Sequence, residues 1–263
     1  MSTRWTFTPT EFIVVWSTLD VSAYPYPLDV RPSGETTDDW AALQAVAAQR
    51  LTSRGVLRNG RLDADVEAAL RTLARPKVSV DACGFFGDRD ESVVRVLGAH
   101  AGGTAVVGVQ LPGPSEHVGG DVIVQVVATD QLCAAVVREL PPAPQGTEPA
   151  LRLAKSELER SSAETVNQPV TPTPSQRGRA QLGALTRGPF AGAGQFGMSD
   201  LAQLGGPVRT SELRWFDRVG DGRYLMSTDG AITVRGADPT VLIEALAAQL
   251  ERLTRRSRHN VGA

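Results

Sequence analysis

The chain has 263 residues, 41% of them hydrophobic, with a formal net charge of -2 at pH 7 and a pI near 6.0. That length and apolar content can fill a proper core, as one large domain or as two closely packed halves. The near-neutral balance makes no bulk case for nucleic acid or an anionic membrane, and neither a membrane-spanning apolar run nor an N-terminal signal peptide is visible, so a cytoplasmic protein is expected.

The first element is a helix. Thr8-Pro9-Thr10-Glu11 is a capping box with proline at the first helical position, and Phe12, Val15, Trp16 and Leu19 form one apolar face. Tyr24-Pro25-Tyr26-Pro27 reads as a proline-rich crossing. A second helix is expected from about Asp38 to Gly55 with Trp40, Leu43, Val46 and Leu51 inward, and a third from about Asp63 to Ala74.

From Lys77 the pattern turns to strands: Val78–Ala82, then Ser92–Gly98 after the turn Gly84–Glu91, then Thr104–Leu111 through a Gly102-Gly103 hairpin turn. Val122–Val127 follows, and a helix at about Asp130–Leu140. Pro141-Pro142-Ala143-Pro144 marks a seam. The polar stretch Glu148–Glu164 reads as an exposed helix, and residues 166–178 read as a mobile Pro/Thr-rich linker with too little apolar area to offset ordering. Strands are expected near 189–198, 211–219, 222–228 and 231–235, then a closing helix capped by Asp238 and running to about Leu253.

One strand–helix unit occurs twice. Val122, Val124, Leu132, Val136 and Leu140 recur as Ile232, Val234, Leu242, Leu246 and Leu250, about 110 residues later, with the switch from period 2 to helical period at the same place. The chain is therefore expected to be pseudo-symmetric, with repeats at about 1–145 and 146–263.

No catalytic constellation assembles. His100, His117 and His259 are scattered, and Cys83 and Cys133 lack metal or redox spacing and read as buried thiols, so neither metal nor cofactor is expected. Gly192-Ala193-Gly194-Gln195-Phe196-Gly197 matches G-x-G-x-x-G, which would make a small-molecule or nucleotide-binding protein. The glycines sit inside a strand-like run with no helix start after them, so a thin strand packed close to a neighbouring backbone is the better reading. The arginines at 252, 255, 256 and 258 end a helix, where positive charge offsets the dipole, and no aromatic platform for nucleic acid accompanies them. Asp88, Arg89, Asp90 and Glu91 form a charged turn. Beside it, adjacent Phe85 and Phe86 cannot both point inward from a strand, so one of them is expected to reach the surface, either as a protein-binding element or as part of a local cluster under the loop.

The order of short signatures Gly194-Gln195-Phe196-Gly197, Leu213-Arg214-Trp215-Phe216-Asp217, Gly222-Arg223-Tyr224-Leu225 and Ile232-Thr233-Val234 before Asp238-Pro239 resembles the EspG family, cytosolic chaperones of mycobacterial and actinobacterial type VII (ESX) secretion. The Phe12/Trp16 and Trp40/Leu43 helices and the Leu70, Leu73, Pro76 run agree with it. The resemblance implies an α+β fold, quasi-two-fold symmetric, with a central antiparallel β-sheet flanked by N-terminal and C-terminal helical bundles. It also implies a non-enzymatic chaperone whose partner is a helical secreted substrate, a PE–PPE or WXG100-like pair, held soluble until delivery. The regions it points to are the loop from Gly84 to Glu91, the exposed face of the second-half strands and the closing helix. Phe85, Phe86, Asp88, Arg89, Asp90, Arg214 and Phe216 are the candidate partner-binding residues.

Overall fold

A computed structural model describes residues 3–21, 23–32, 36–87, 93–115, 118–154, 156, 173–202 and 206–259. Chain order is β1 (Arg4–Phe7), α1 (Pro9–Ser17), α2 (Thr37–Ser53), β2 (Leu57–Arg58), β3 (Arg61–Leu62), α3 (Ala64–Ala74), β4 (Val78–Phe86), β5 (Val93–Ala101), β6 (Thr104–Ser115) and β7 (Val118–Val127). A 3-10 turn (Thr129–Gln131) leads into α4 (Leu132–Arg138). Then come β8 (Leu151–Ala154), α5 (Pro174–Leu185), β9 (Phe190–Asp200), β10 (Val208–Arg218), β11 (Arg223–Ser227), β12 (Ala231–Gly236) and α6 (Pro239–His259).

The starts obey their local chemistry. Thr8 Oγ1 accepts from the Glu11 N–H at 3.3 Å while Glu11 Oε2 accepts from the Thr8 N–H at 3.0 Å, closing the expected box on α1. Gly102 and Gly103 both have positive φ, 58° and 85°, as the tight β5–β6 hairpin demands. The Val241 N–H donates to Asp238 Oδ1 at 2.8 Å at the head of α6.

Ten strands form one antiparallel sheet in the order β1-β7-β6-β5-β4-β9-β10-β11-β12-β8, and β2 and β3 make a separate ribbon. Read outward from the central β4–β9 pair, the order is β4, β5, β6, β7, β1 on one side and β9, β10, β11, β12, β8 on the other. The centre is in continuous register from Val78↔Asp200 to Phe86↔Gly192.

Strand alternation divides the core between two faces. On one, α4 and α6 cover Val80, Val96, Val107, Phe196 and Trp215. On the other, α1–α3 cover Leu97, Val106, Val122 and Val124 over the first-half strands, and α5 covers Leu153, Phe216, Tyr224 and Val234 at the far end. The helices thus lie across both faces of the sheet. The Trp215 indole lies where two side chains would stand: a Cβ at Gly84 would be 2.7 Å, and one at Gly194 2.2 Å, from its Cζ2. Gly84 and Gly194 are register partners, so the thin strand expected at 192–197 is thin to admit that ring.

Three expectations change. Leu43 and Val46, placed inward, are exposed on α2, where only Ala47 and Leu51 are buried; the helix is amphipathic on a narrower stripe than its composition suggests. Residues 151–154 form strand β8 instead of part of a helix, because Leu151 and Leu153 alternate with Arg152 and Ala154 and pair with the open side of β12. The linker is shorter than 166–178, since Thr173-Pro174-Ser175-Gln176 is a second capping box and starts α5; residues 166–172 lie outside the described ones.

Candidate partner-binding face

Among the described residues, no helix covers the middle of the face shared by α1–α3 and α5. Register sets its side chains in rows across the strands: Val93, Phe85, Ala193 and Phe216 in one, and Arg95, Cys83, Gln195, Arg214 and Met226 in the next. A further row holds Asp81 beside Gly197. Phe85, Cys83, Arg95, Gln195 and Met226 are half-buried, and Arg214 and Arg209 are exposed.

Two devices bound this opening. The loop after α1 crosses the sheet, pinned by buried Gln110, whose Oε1 accepts from the Asp29 N–H at 2.8 Å and whose Nε2 donates to the Asp29 carbonyl at 2.7 Å. That places Tyr26, 53% exposed, over the centre, where Gln195 Nε2 donates to its Oη at 3.5 Å and the Arg209 guanidinium sits 5.1 Å from its ring centroid. The same guanidinium grips Asp81, with Nη1 to Oδ2 at 2.7 Å and Nη2 to Oδ1 at 2.9 Å. The Asp81 side chain is 1% exposed. Gly197 leaves room for the pair, since a Cβ there would meet Arg209 Nη2 at 2.2 Å.

The electrostatics follow. The hydrogen bond to Asp81 raises the Arg209 pKa. Burial raises the Cys83 thiol, with Arg95 pulling the other way, and burial raises the Tyr26 phenol. At neutral pH the thiol and phenol are uncharged and Asp81 is matched, so the face presents arginine charge.

The candidate residues named from sequence distribute unevenly. Phe85 and Arg214 meet on this open face. Phe216 shares its row but is buried, edge-on to Phe190 at 5.5 Å and stacked on Tyr224 at 5.4 Å. Phe86, one residue from Phe85, turns to the opposite face, where its ring stacks at 6.4 Å on Trp215. Neither Phe86 nor Phe216 presents a ring to the surface, because α4, α6 and α5 close over the rows they occupy. Asp88, Arg89 and Asp90 lie outside the described residues, as does His117. The glycine-rich run is strand throughout, and β9 continues to Asp200 with no helix start behind the glycines, so the context of a dinucleotide site is missing there.

Sequence reasoning missed Tyr26, Asp81, Gln195 and Arg209. A charged residue at the middle of an apolar strand, Asp81 between Val80 and Ala82, was the available signal. The closing helix borders a separate groove of about 410 Å3 on the opposite face, lined by Leu213, Leu225, Thr233, Arg235, Glu244 and Ala248. Among the described residues no cluster of His, Cys, Asp and Glu could hold a metal, and no helix is long and apolar enough to cross a membrane.

No curated protein matches the chain closely enough to count as a relative. The profile of the EspG family matches residues 8–248, which takes in the open face, nine of the ten strands of the large sheet, all but β1, and the first half of α6. The chain belongs to the EspG family, which is associated with ESX secretion.

Proposed function

We propose that this protein is a cytosolic chaperone of an ESX secretion system that holds a helical substrate, a PE–PPE or WXG100-like pair, on the open face between α1–α3 and α5. The observation that carries the reading is that face itself. In a sheet covered by helices elsewhere, β4 and β9 leave Phe85, Ala193 and Gln195 only partly buried, and β10 leaves Arg214 exposed. The strand order supports it: four strands continue outward on each side of the central β4–β9 pair, and α1 and α5 begin with matching capping boxes on the same face.

An apolar helical tip free in the cytosol would self-associate. Covering it lowers the concentration of the sticky species by mass action, with no chemistry needed. Affinity then depends on a few anchors, and half-buried Phe85 and exposed Tyr26 are aromatic candidates on this face.

Co-expression with PE–PPE and WXG100-like pairs tests this. The wild type is expected to form a soluble complex, and Phe85→Ala to bind at least tenfold more weakly, a loss of about 1.4 kcal/mol, with unchanged thermal stability. A wild type that forms no complex, or a Phe85→Ala variant with full affinity, would overturn it. Phe86 is left intact, because truncating a ring packed on Trp215 would perturb the core.

A further inference from the structure

Resting on the reading just given, we infer that the occupant of the open face is an α-helix that sets an aliphatic side chain on Phe85 and Ala193 and, one turn away, a carboxylate on Arg214.

The charge pattern selects the anion. Asp81, the acid of this opening, has both oxygens engaged by Arg209. Arg214, exposed and one row from Phe85, forms no hydrogen bond or ion pair with the described residues. It stands between Gln195 on β9 and Met226 on β11, its register partners. Its guanidinium is therefore available to a partner, and its register partners offer an amide and an apolar surface.

The spacing selects the helix. Phe85 and Arg214 are two strands and two residues apart, so their Cα atoms are about 12 Å apart given a strand separation near 4.8 Å and a rise near 3.4 Å. A helix with its side chains is about 10–12 Å across, and residues three or four apart share one face with a rise of about 5–6 Å. A helix lying along β9 thus puts an aliphatic residue over the Phe85–Ala193 row and an acid three or four positions away beside Arg214. An added β-strand would meet no free edge here, because β4, β9 and β10 are paired on both sides.

The probes are three stapled helical peptides with one apolar stripe in common, flanked by Glu, Gln or Lys, titrated by fluorescence anisotropy at low salt. The Glu peptide is expected to bind at least tenfold tighter than the Gln peptide, and the Lys peptide weakest. Arg214→Gln should abolish the Glu preference and Arg214→Glu should reverse it, both with wild-type melting curves. Arg152→Glu, which reverses an exposed arginine on β8, is expected to leave binding as it was. Glu and Gln peptides within twofold of each other, a Glu preference that survives Arg214→Glu, or no binding by any peptide would overturn the inference. Co-expression separates this from the chaperone reading. A native complex unaffected by Arg214→Glu sinks the acidic-helix inference alone, whereas a wild type with no native complex sinks both.

Discussion

Replacing Arg209 by Met tests whether the Asp81–Arg209 pair holds the centre of the sheet together. Asp81 sits on β4, from the first half of the chain, and Arg209 on β10, from the second, so their two short hydrogen bonds cross the β4–β9 seam. Removing one partner of a buried pair costs about 3–5 kcal/mol, because the remaining charge stays desolvated. The Arg209 side chain is 41% exposed and water can reach part of the vacancy, so the low end, about 3 kcal/mol, is expected. For a chain of this size that is roughly 6–12 °C in melting temperature. Asp81→Asn combined with Arg209→Met should recover part of the loss, giving a coupling of about 1–2 kcal/mol in a double-mutant cycle. Urea denaturation at pH 7, followed by tryptophan fluorescence, reads all four corners. An Arg209→Met variant within about 0.5 kcal/mol of wild type, or strictly additive effects, would refute the role assigned to the pair.

Two further outcomes follow from the core. Gly194→Ala is expected to cost about 2 kcal/mol or more, because the new methyl would lie 2.2 Å from the Trp215 indole and 2.5 Å from the Cys83 carbonyl oxygen; urea midpoints matching wild type would show that the ring can move aside. Burial pushes the Cys133 thiol up to about 11. An unfolded thiol ionises near 9, so the contribution of the neutral buried thiol is whole below pH 9 and is lost as pH rises to about 11, amounting to roughly 2–3 kcal/mol. Cys133→Ala should flatten that alkaline limb of the stability profile; parallel limbs in variant and wild type would count against it.

The sequence made the scaffold readable because its signals are local. Capping boxes, a Gly-Gly hairpin and the shift from period 2 to helical period depend on residues a few positions apart, and α1, the β5–β6 turn and α6 came out where those signals put them. The residues matched across the 110-residue offset pack alike. Val122 and Val124 pack under the N-terminal helices and Val234 under α5, while Leu132, Val136, Leu242 and Leu246 pack on the opposite face, so the matched positions occupy matched faces. The same logic, carried further, would have found α5. Thr173-Pro174-Ser175-Gln176 repeats the chemistry of Thr8-Pro9-Thr10-Glu11, but proline and threonine upstream of it drew the boundary too far along.

The open face was hidden for the opposite reason. Tyr26, Asp81, Gln195 and Arg209 come from four distant segments and meet only through the register of β4, β9 and β10 and the clamp of Gln110 on Asp29. Phe85 and Phe86 show the limit from the other side. Alternation requires them to point apart, yet only the placement of α4 and α6 decides that Phe86 is the buried one.

Hydroxyl-radical footprinting of the complex with the co-expressed substrate reads directly whether the middle of the sheet is where a partner sits. Phe85, Tyr26 and Met226 should lose reactivity on binding, while Leu43 and Val46 on α2 keep theirs. Protection confined to the groove along α6, at Leu225 and its neighbours, with Phe85 and Tyr26 still reactive, would place the partner on the opposite face and contradict the assignment made here.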